Sequence, residues 1–255
     1  MKEKRPTEEY KLYGGQVTLK FDPVKHLYTV DNKPAHGVTN CIGSIAKPAL
    51  IPWAVKMTAD FITLEWLPGQ SYDELQIADI LKKAKAAHRT KKETAGDFGT
   101  LTHEWIEMWI KGESPEEPVN EVIRKATEQF RDWVETNNVK FLESERKVYS
   151  KKYNYAGTCD FLAEINGQLI VGDVKTSSGI YDEYFFQTSA YQQALAEEFP
   201  DYKFIKNVIV RVGKDGVFEV GESTEFTENL KAFLGSLAVY NRQQDLKTKE
   251  YSNGK

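Results

Sequence analysis

The chain has 255 residues, 40% of them hydrophobic, 28% charged and 12% aromatic, a composition that can bury a core and is too rich in aromatic anchors for a disordered chain. No apolar run approaches the ~18 to 20 residues that cross a bilayer, and the opening MKEKRPTEEYK lacks the apolar stretch of a signal peptide, so a soluble protein of a reducing intracellular compartment is expected. Two cysteines, Cys41 and Cys159, exclude a disulfide framework, a four-cysteine zinc site and an iron–sulfur cluster, and a net charge of -4 excludes a protein that coats nucleic acid by bulk positive charge.

In chain order, the first dozen residues read as charged and loose. QVTLKF and HLYTVD alternate on either side of the turn-like DPVK and predict a β-hairpin. Asn40 is placed to cap a short helix, and Pro48 to Trp66 reads as an apolar helix with Pro52 in its first turn. Ser71 and Glu74 have the spacing of a capping box that opens a long, increasingly basic helix. A break is expected near Gly96 and Gly99, before a helix from Thr100 to Lys111. Pro118 to about Asn138 predicts another, with Val122, Ile123, Ala126, Phe130, Trp133 and Val134 at helical spacing. Three strands follow (FLESERKVYS, YAGTCDFLAEI, QLIVGDVKT), then a helix over about 182–199, the strand KFIKNVIVRV, a Lys-Asp-Gly turn, GVFEVG, and a last helix from Thr227. That order implies an α/β domain built on a mixed central β-sheet flanked by helices, with residues 1–95 as an N-terminal hairpin and helical extension and 96–255 as the core domain.

Tyr155 to Thr176 carries the most information. Asn166-Gly167 between two alternating runs signals a two-residue type I′ turn. With Ile165 facing Gln168, the register sets Asp160 opposite Asp173 as a non-hydrogen-bonded pair, Cβ atoms roughly 4.5 to 5.5 Å apart, and Thr158 opposite Lys175 on the same face. Opposed like charges call for a cation or a shared proton. A lone aspartate on a strand is ordinarily a solvated charge, but Leu162, Leu169 and Val171 on the same face are apolar, so this face should be covered. Paired carboxylates with a backbone carbonyl and water suit Mg²⁺ or Mn²⁺. Gly157 and Gly172 thin the sheet and would admit a substrate's close approach.

Gly157-Thr158-Cys159-Asp160 followed by Gly172-Asp173-Val174-Lys175-Thr176 resembles the central motif of the PD-(D/E)XK nucleases, and specifically of their RecB-like exonuclease branch. Gly99-Thr100-Leu101-Thr102-His103, with Glu107 one turn on, resembles the branch's G-T-x-x-H helix, and Gln187 to Tyr191 its Q-x-x-x-Y helix. Each motif alone recurs by chance; together, in order across residues 99 to 191, they carry the likeness. The N-terminal hairpin and the stretch after it resemble, more loosely, the leader of phage exonucleases of this group.

The resemblance implies a restriction-endonuclease-like core for 96–255. It implies Asp160, Asp173, His103 and the main chain of Val174 as metal ligands, Lys175 as the group that orients or activates water, and Gln187 and Tyr191 as supports of the site or of a phosphate. A Glu often precedes the hairpin in this branch. Glu145 is the reading here, because a four-residue loop at Lys151 to Asn154 would set it opposite Asp160; Glu143 is the alternative. Relatives with a four-cysteine iron–sulfur cluster are excluded, and Cys159 should point away from Asp160 as a small buried residue.

For DNA, six basic residues without an acid between them (Lys82, Lys83, Lys85, Arg89, Lys91, Lys92) lead into the His103 helix and offer a phosphate-tracking surface. Arg146, Lys147, Lys151 and Lys152, interleaved with Tyr149, Tyr153 and Tyr155, combine charge with stacking, and Thr176 follows the motif lysine. The expected function is a Mg²⁺- or Mn²⁺-dependent DNA exonuclease, holding one or two ions and acting on single-stranded or duplex ends in the cytoplasm of a bacterial or phage-infected cell, with a recombination or helicase partner conceivable and no membrane. The alternatives are a structure-specific or restriction-like endonuclease and a non-catalytic nucleic-acid-binding subunit of a recombination complex.

Overall fold

The computed structural model describes residues 6–253, apart from the side chains of residues 93–95 and 249–253. Of the opening segment expected to be loose, residues 1–5 lie outside the described residues, whereas Glu8–Leu12 form strand β1. Alternating apolar residues build β2 (Val17–Asp22) and β3 (Leu27–Val30). Their turn is held by Asp22, whose carboxylate accepts from the Val24 and Lys25 amides. Strand β4 (Lys33–Gly37) completes an antiparallel N-terminal meander. Short helix α1 (Val38–Ile42) follows with Gly37 as its N-cap, so Asn40 lies inside the helix.

The rest of the sheet comprises β5 (Lys140–Ser150), β6 (Tyr155–Ile165), β7 (Gln168–Lys175), β8 (Phe204–Val212) and β9 (Phe218–Ser223). The order is β1-β2-β3-β4-β6-β7-β8-β9, with β5 on the other edge of β6. The sheet is mixed: β4 meets β6, and β7 meets β8, in parallel, while the remaining pairs are antiparallel. The α/β class with a mixed central sheet is therefore the observed one. On one face pack α1, α5 (Asp182–Glu198) and α6 (Phe226–Asn253). Helix α4 (Glu121–Thr136) contributes Phe130 and Trp133 to an aromatic cluster with Trp109, Phe141 and Phe161. Its N-terminus is satisfied by Asn120, whose side chain accepts from Val122 and Ile123, as an orphan first turn requires.

The chain divides into two compact units, 1–45 with 102–255, and 46–101. The second holds α2 (Leu50–Glu65) and most of α3 (Glu74–Ile110). Between them Trp66 stacks on Tyr72, whose hydroxyl donates to the Glu65 carbonyl and accepts from the Leu67 amide. Two expectations are corrected here. The capping box of α3 is Asp73 with Gln76, each side chain bonding the other's backbone N–H, rather than Ser71 with Glu74. And α3 runs unbroken through Gly96 and Gly99. The glycines cost helix stability, but good helix formers precede them, and Phe98 between them and Trp105 and Ile106 beyond them are buried.

Candidate functional site: a fork between two strands

The hairpin register predicted from Asn166-Gly167 holds from Ile165 opposite Gln168 to Phe161 opposite Gly172, both turn residues having positive φ. There the ladder stops. The same edge of β6 is next used at Tyr155 and Ala156, by β4, so neither strand covers Gly157 to Asp160, and Asp173 to Lys175 pair only with β8. Asp160 and Asp173 thus flank a fork in the sheet instead of forming the expected ladder pair. Asp160 reaches across it, its Oδ2 accepting from the Val174 amide at 2.8 Å. In an extended strand a residue's N–H and C=O point to the same edge, so the Val174 carbonyl also faces the fork. Thr158 is not beside Lys175: it pairs with Lys147 on β5 and bonds the Tyr28 hydroxyl at 3.0 Å.

The four-residue loop at Lys151 to Asn154 sets Ser150 opposite Tyr155 and carries the pairing to Arg146 opposite Cys159. The pairing resumes at Ser144 opposite Phe161, and Glu145, with φ 51°, stands between these pairs at the level of Asp160. Burial, then the Asp160 charge, push the Glu145 carboxyl up to about 7, against the pull of Lys147. Glu143 is instead tied to Arg146 at 2.9 Å.

Burial and the neighbouring Asp173 likewise push the Asp160 carboxyl well above the usual range, against Lys175 and the Val174 amide. Asp173 is 1% exposed. Its Oδ2 forms an ion pair with Lys175 but receives no well-directed hydrogen bond. Burial favours a neutral Lys175; Asp173 and Asp160 outweigh it and hold the ammonium above its ordinary pKa. Its Nζ also lies 5.1 Å from the centre of the Tyr184 ring. His103 sits with Nδ1 3.6 Å from Asp160 Oδ2. Its pKa is lowered by burial and by Lys175, which leaves a neutral imidazole.

Helix α5 roofs the site. Gln187 donates to the Tyr191 hydroxyl at 2.6 Å, both residues being buried, and Asp173 and Asp160 act on that phenol and raise its pKa beyond the effect of burial. The two glycines do not leave room for a substrate, contrary to expectation. A Cβ on Gly157 would lie 2.5 Å from the Tyr191 ring and one on Gly172 1.9 Å from the Phe161 ring, so both spaces are filled by aromatic side chains. Cys159 is fully buried, in the cluster that also contains Leu162, Val171 and Tyr191.

The expected binding residues of the β5–β6 loop are not at the fork. Lys151, Lys152 and Tyr153 belong to the β5–β6 loop, whose exit at Tyr155 is five residues before Asp160, about 17 Å along the strand. Lys151 lies 3.8 Å from the Tyr13 ring centre, Lys152 Nζ 4.9 Å from that of Tyr153, and Tyr153 stacks on Tyr155. Thr176 is half-buried just past β7. Lys82, Lys83, Lys85, Arg89, Lys91 and Lys92 are exposed on α3 within the second unit. Four of them, Lys82, Lys85, Arg89 and Lys92, recur at helical spacing along one stripe, while Lys83 is tied to Asp79 at 2.7 Å.

Sequence reasoning assigned Lys147 to the DNA-stacking group, and the structure places it at the acids. It is 7% exposed, with Nζ 3.5 Å from Glu145 Oε2 and 5.5 and 5.3 Å from the ring centres of Tyr10 and Phe21. The available signal was the triplet Glu145-Arg146-Lys147, which repeats the acid-x-lysine spacing of Asp173-Val174-Lys175.

Among the described residues, no three His, Cys, Asp or Glu side chains are gathered closely enough to chelate an ion as they stand. The donor set nevertheless suits a hard divalent cation: carboxylates, a strand carbonyl and a neutral imidazole. No helix among the described residues is long and apolar enough to cross a membrane. No protein-family model matches the chain, and no curated protein matches it. Seventeen chains of solved structures match; one, described as "Crystal structure of SSO0001", is 14% identical over 80% of this chain and 75% of that one, at a TM-score of 0.31, too slight a likeness to carry an argument.

Proposed function

We propose that the chain is a divalent-metal-dependent deoxyribonuclease of the PD-(D/E)XK, RecB-like kind, hydrolysing phosphodiester bonds from DNA ends. The observation that carries this reading is the meeting of carboxylates from three adjacent strands, Glu145, Asp160 and Asp173, at an opening in the sheet beside the Lys175 side chain. Such a cluster destabilises the fold when empty and has a use when a cation enters it.

Asp160, Asp173, the Val174 carbonyl and His103 would hold Mg²⁺ or Mn²⁺. The bound metal would lower the pKa of a water and withdraw charge from the scissile phosphate. Lys175, held as an ammonium, donates rather than accepts a proton. It orients the attacking water or binds a non-bridging phosphate oxygen. Glu145 is able to take a proton at its carboxylate near neutral pH, since its pKa of about 7 matches that task. Gln187 fixes the Tyr191 hydroxyl as an acceptor, which directs the phenol's own proton toward the acids or a phosphate.

The test is degradation of labelled linear single- and double-stranded DNA with Mn²⁺, with blocked 5′ or 3′ ends to read polarity, alongside Asp173→Ala and Lys175→Ala. We expect the wild type to release nucleotides from ends and leave a covalently closed circle intact, with both variants inactive. Cleavage of the circle would make it an endonuclease, and a wild type no more active than the two variants would overturn the reading.

A further inference from the structure

Lys175 does not stand alone at its end of β7. The ring of Tyr184, in the first turn of α5, has its centre 5.1 Å from Lys175 Nζ. Tyr181 meets that ring in a T-shaped contact, with 5.5 Å between centres and 78° between planes. Tyr181 is 43% exposed, so one ring beyond the site's lysine an aromatic surface lies open. The mechanism above uses neither tyrosine.

The exposed ring is fixed in place. Its hydroxyl shares a hydrogen bond of 2.8 Å with Ser178, and its outer edge lies so near Gly179 that a Cβ there would be 3.8 Å from the ring. The Ser177 hydroxyl donates to the Gly179 carbonyl at 2.8 Å and closes the turn. Arg211 on β8, opposite Lys175 in the register, ties this turn to the sheet. It is 2% exposed, and its Nε donates to the Ser177 carbonyl at 2.7 Å. Its terminal nitrogens donate to Asp215 at 2.6 Å and to Glu219 at 2.9 Å, which answers the charge of a guanidinium removed from water. A ring ordered beforehand loses little freedom when a partner stacks on it.

The neighbouring charges select the part of a nucleotide that fits. Asp182 and Glu183 occupy the first turn of α5 and repel a phosphate from that helix end. Lys175 draws the phosphate instead, and Tyr181 is left to receive the flat, uncharged base. Every base has a face that can stack, so such a contact carries no sequence preference.

We propose that Tyr181 is a base-stacking subsite, taking the nucleobase beside the phosphate held at Lys175. The proposal rests on the nuclease reading above and adds to it a residue that grips DNA without reading its sequence.

The experiment is single-turnover hydrolysis of a short oligo(dT) strand in Mn²⁺ by the full chain, over a range of enzyme concentrations. The strand is used single or annealed to its complement, whichever form the wild type cleaves, both intact and with one abasic residue stepped along it. Wild type, Tyr181→Ala and Tyr181→Phe are compared, with thermal melts to establish folding. For the wild type, one abasic position beside the cleaved bond should raise the half-saturating concentration about 10-fold. Y181A should raise it by a similar factor on the intact strand and show no further penalty at that position. Y181F, which keeps the ring, should restore the wild-type pattern. If Y181A matches the wild type, or if its effect and the abasic penalty multiply as independent losses, the stacking role is overturned and the nuclease reading stands. A wild type with no penalised position overturns that role as well, whether or not Y181A folds. A wild type that cleaves neither form of the strand overturns the nuclease reading itself.

Discussion

Two acid-x-lysine triplets flank Asp160, one on each neighbouring strand, and they are built differently. Asp173-Val174-Lys175 lies in regular strand, paired through its length with β8, and its two charges form a direct ion pair. Glu145-Arg146-Lys147 lies on β5 with its acid in a left-handed conformation, its lysine 3.5 Å from that acid and its middle residue turned to Glu143 and Glu198. The Val174 backbone is an extension of the site, whereas Arg146 is an anchor, with its guanidinium 5.2 Å from the centre of the Phe199 ring. The same three-residue spacing therefore yields a regularly paired element in one strand and one with a left-handed acid in the other.

The comparison breaks most sharply by substitution in each triplet. Asp173→Ala should reduce Mn²⁺-dependent hydrolysis by ~10³-fold or more, because it removes a ligand and a preorganised charge together. Glu145→Gln should cost less, about 10²-fold, as expected for removal of a proton acceptor. Equal losses measured in single-turnover assays would remove the distinction between the two strands.

Gly172→Ala tests the packing under the β7 triplet. The added methyl would enter the fully buried Phe161 ring, and we expect about 3 kcal/mol of destabilisation, read as a fall in denaturation midpoint without a change in m-value. A neutral result would mean that Phe161 moves freely.

The β5 triplet predicts a pH effect. The Glu145 pKa of about 7 in the folded chain lies above the ordinary range for an unfolded glutamate. Between those two values the folded state binds more protons, so metal-free stability falls as pH rises from about 4 toward 7. Glu145→Gln removes the Glu145 share of that dependence and should raise metal-free stability at pH 8 by about 1 kcal/mol, the figure being reduced for the partial exposure of the side chain. A melting temperature unchanged or lowered at pH 8 would contradict the pKa assignment.

The smallest effect concerns the second unit. Replacing Lys82, Lys85, Arg89 and Lys92 by alanine should lower the slope of log affinity against log salt by roughly 0.7 for each lost contact on single-stranded DNA. An unchanged slope would leave this stripe a solvated helix face.

Local chemistry was legible in the sequence, and long-range pairing was not. Asn166-Gly167 specifies its own turn, which carries the register to Gly172, and the Lys151–Asn154 loop places Glu145 at the level of Asp160. The fork was hidden, because counting from the turn assumes a ladder that continues. Its end depends on β4, more than a hundred residues upstream, meeting β6 only at Tyr155 and Ala156. Strands β1 and β4 were missed for a related reason: one is charged and the other contains Pro34, both marks of strands whose pairing is limited or at an edge. Lys147 was read as a surface cation because nothing local shows that Tyr10 and Phe21 fold over it.

The most direct test of the shared carboxylate site is anomalous scattering from Mn²⁺-soaked crystals of the full chain. The account predicts a peak at the fork, coordinated by Asp160, Asp173, the Val174 carbonyl and His103. A peak elsewhere, or none at the fork in crystals saturated with Mn²⁺, would contradict it.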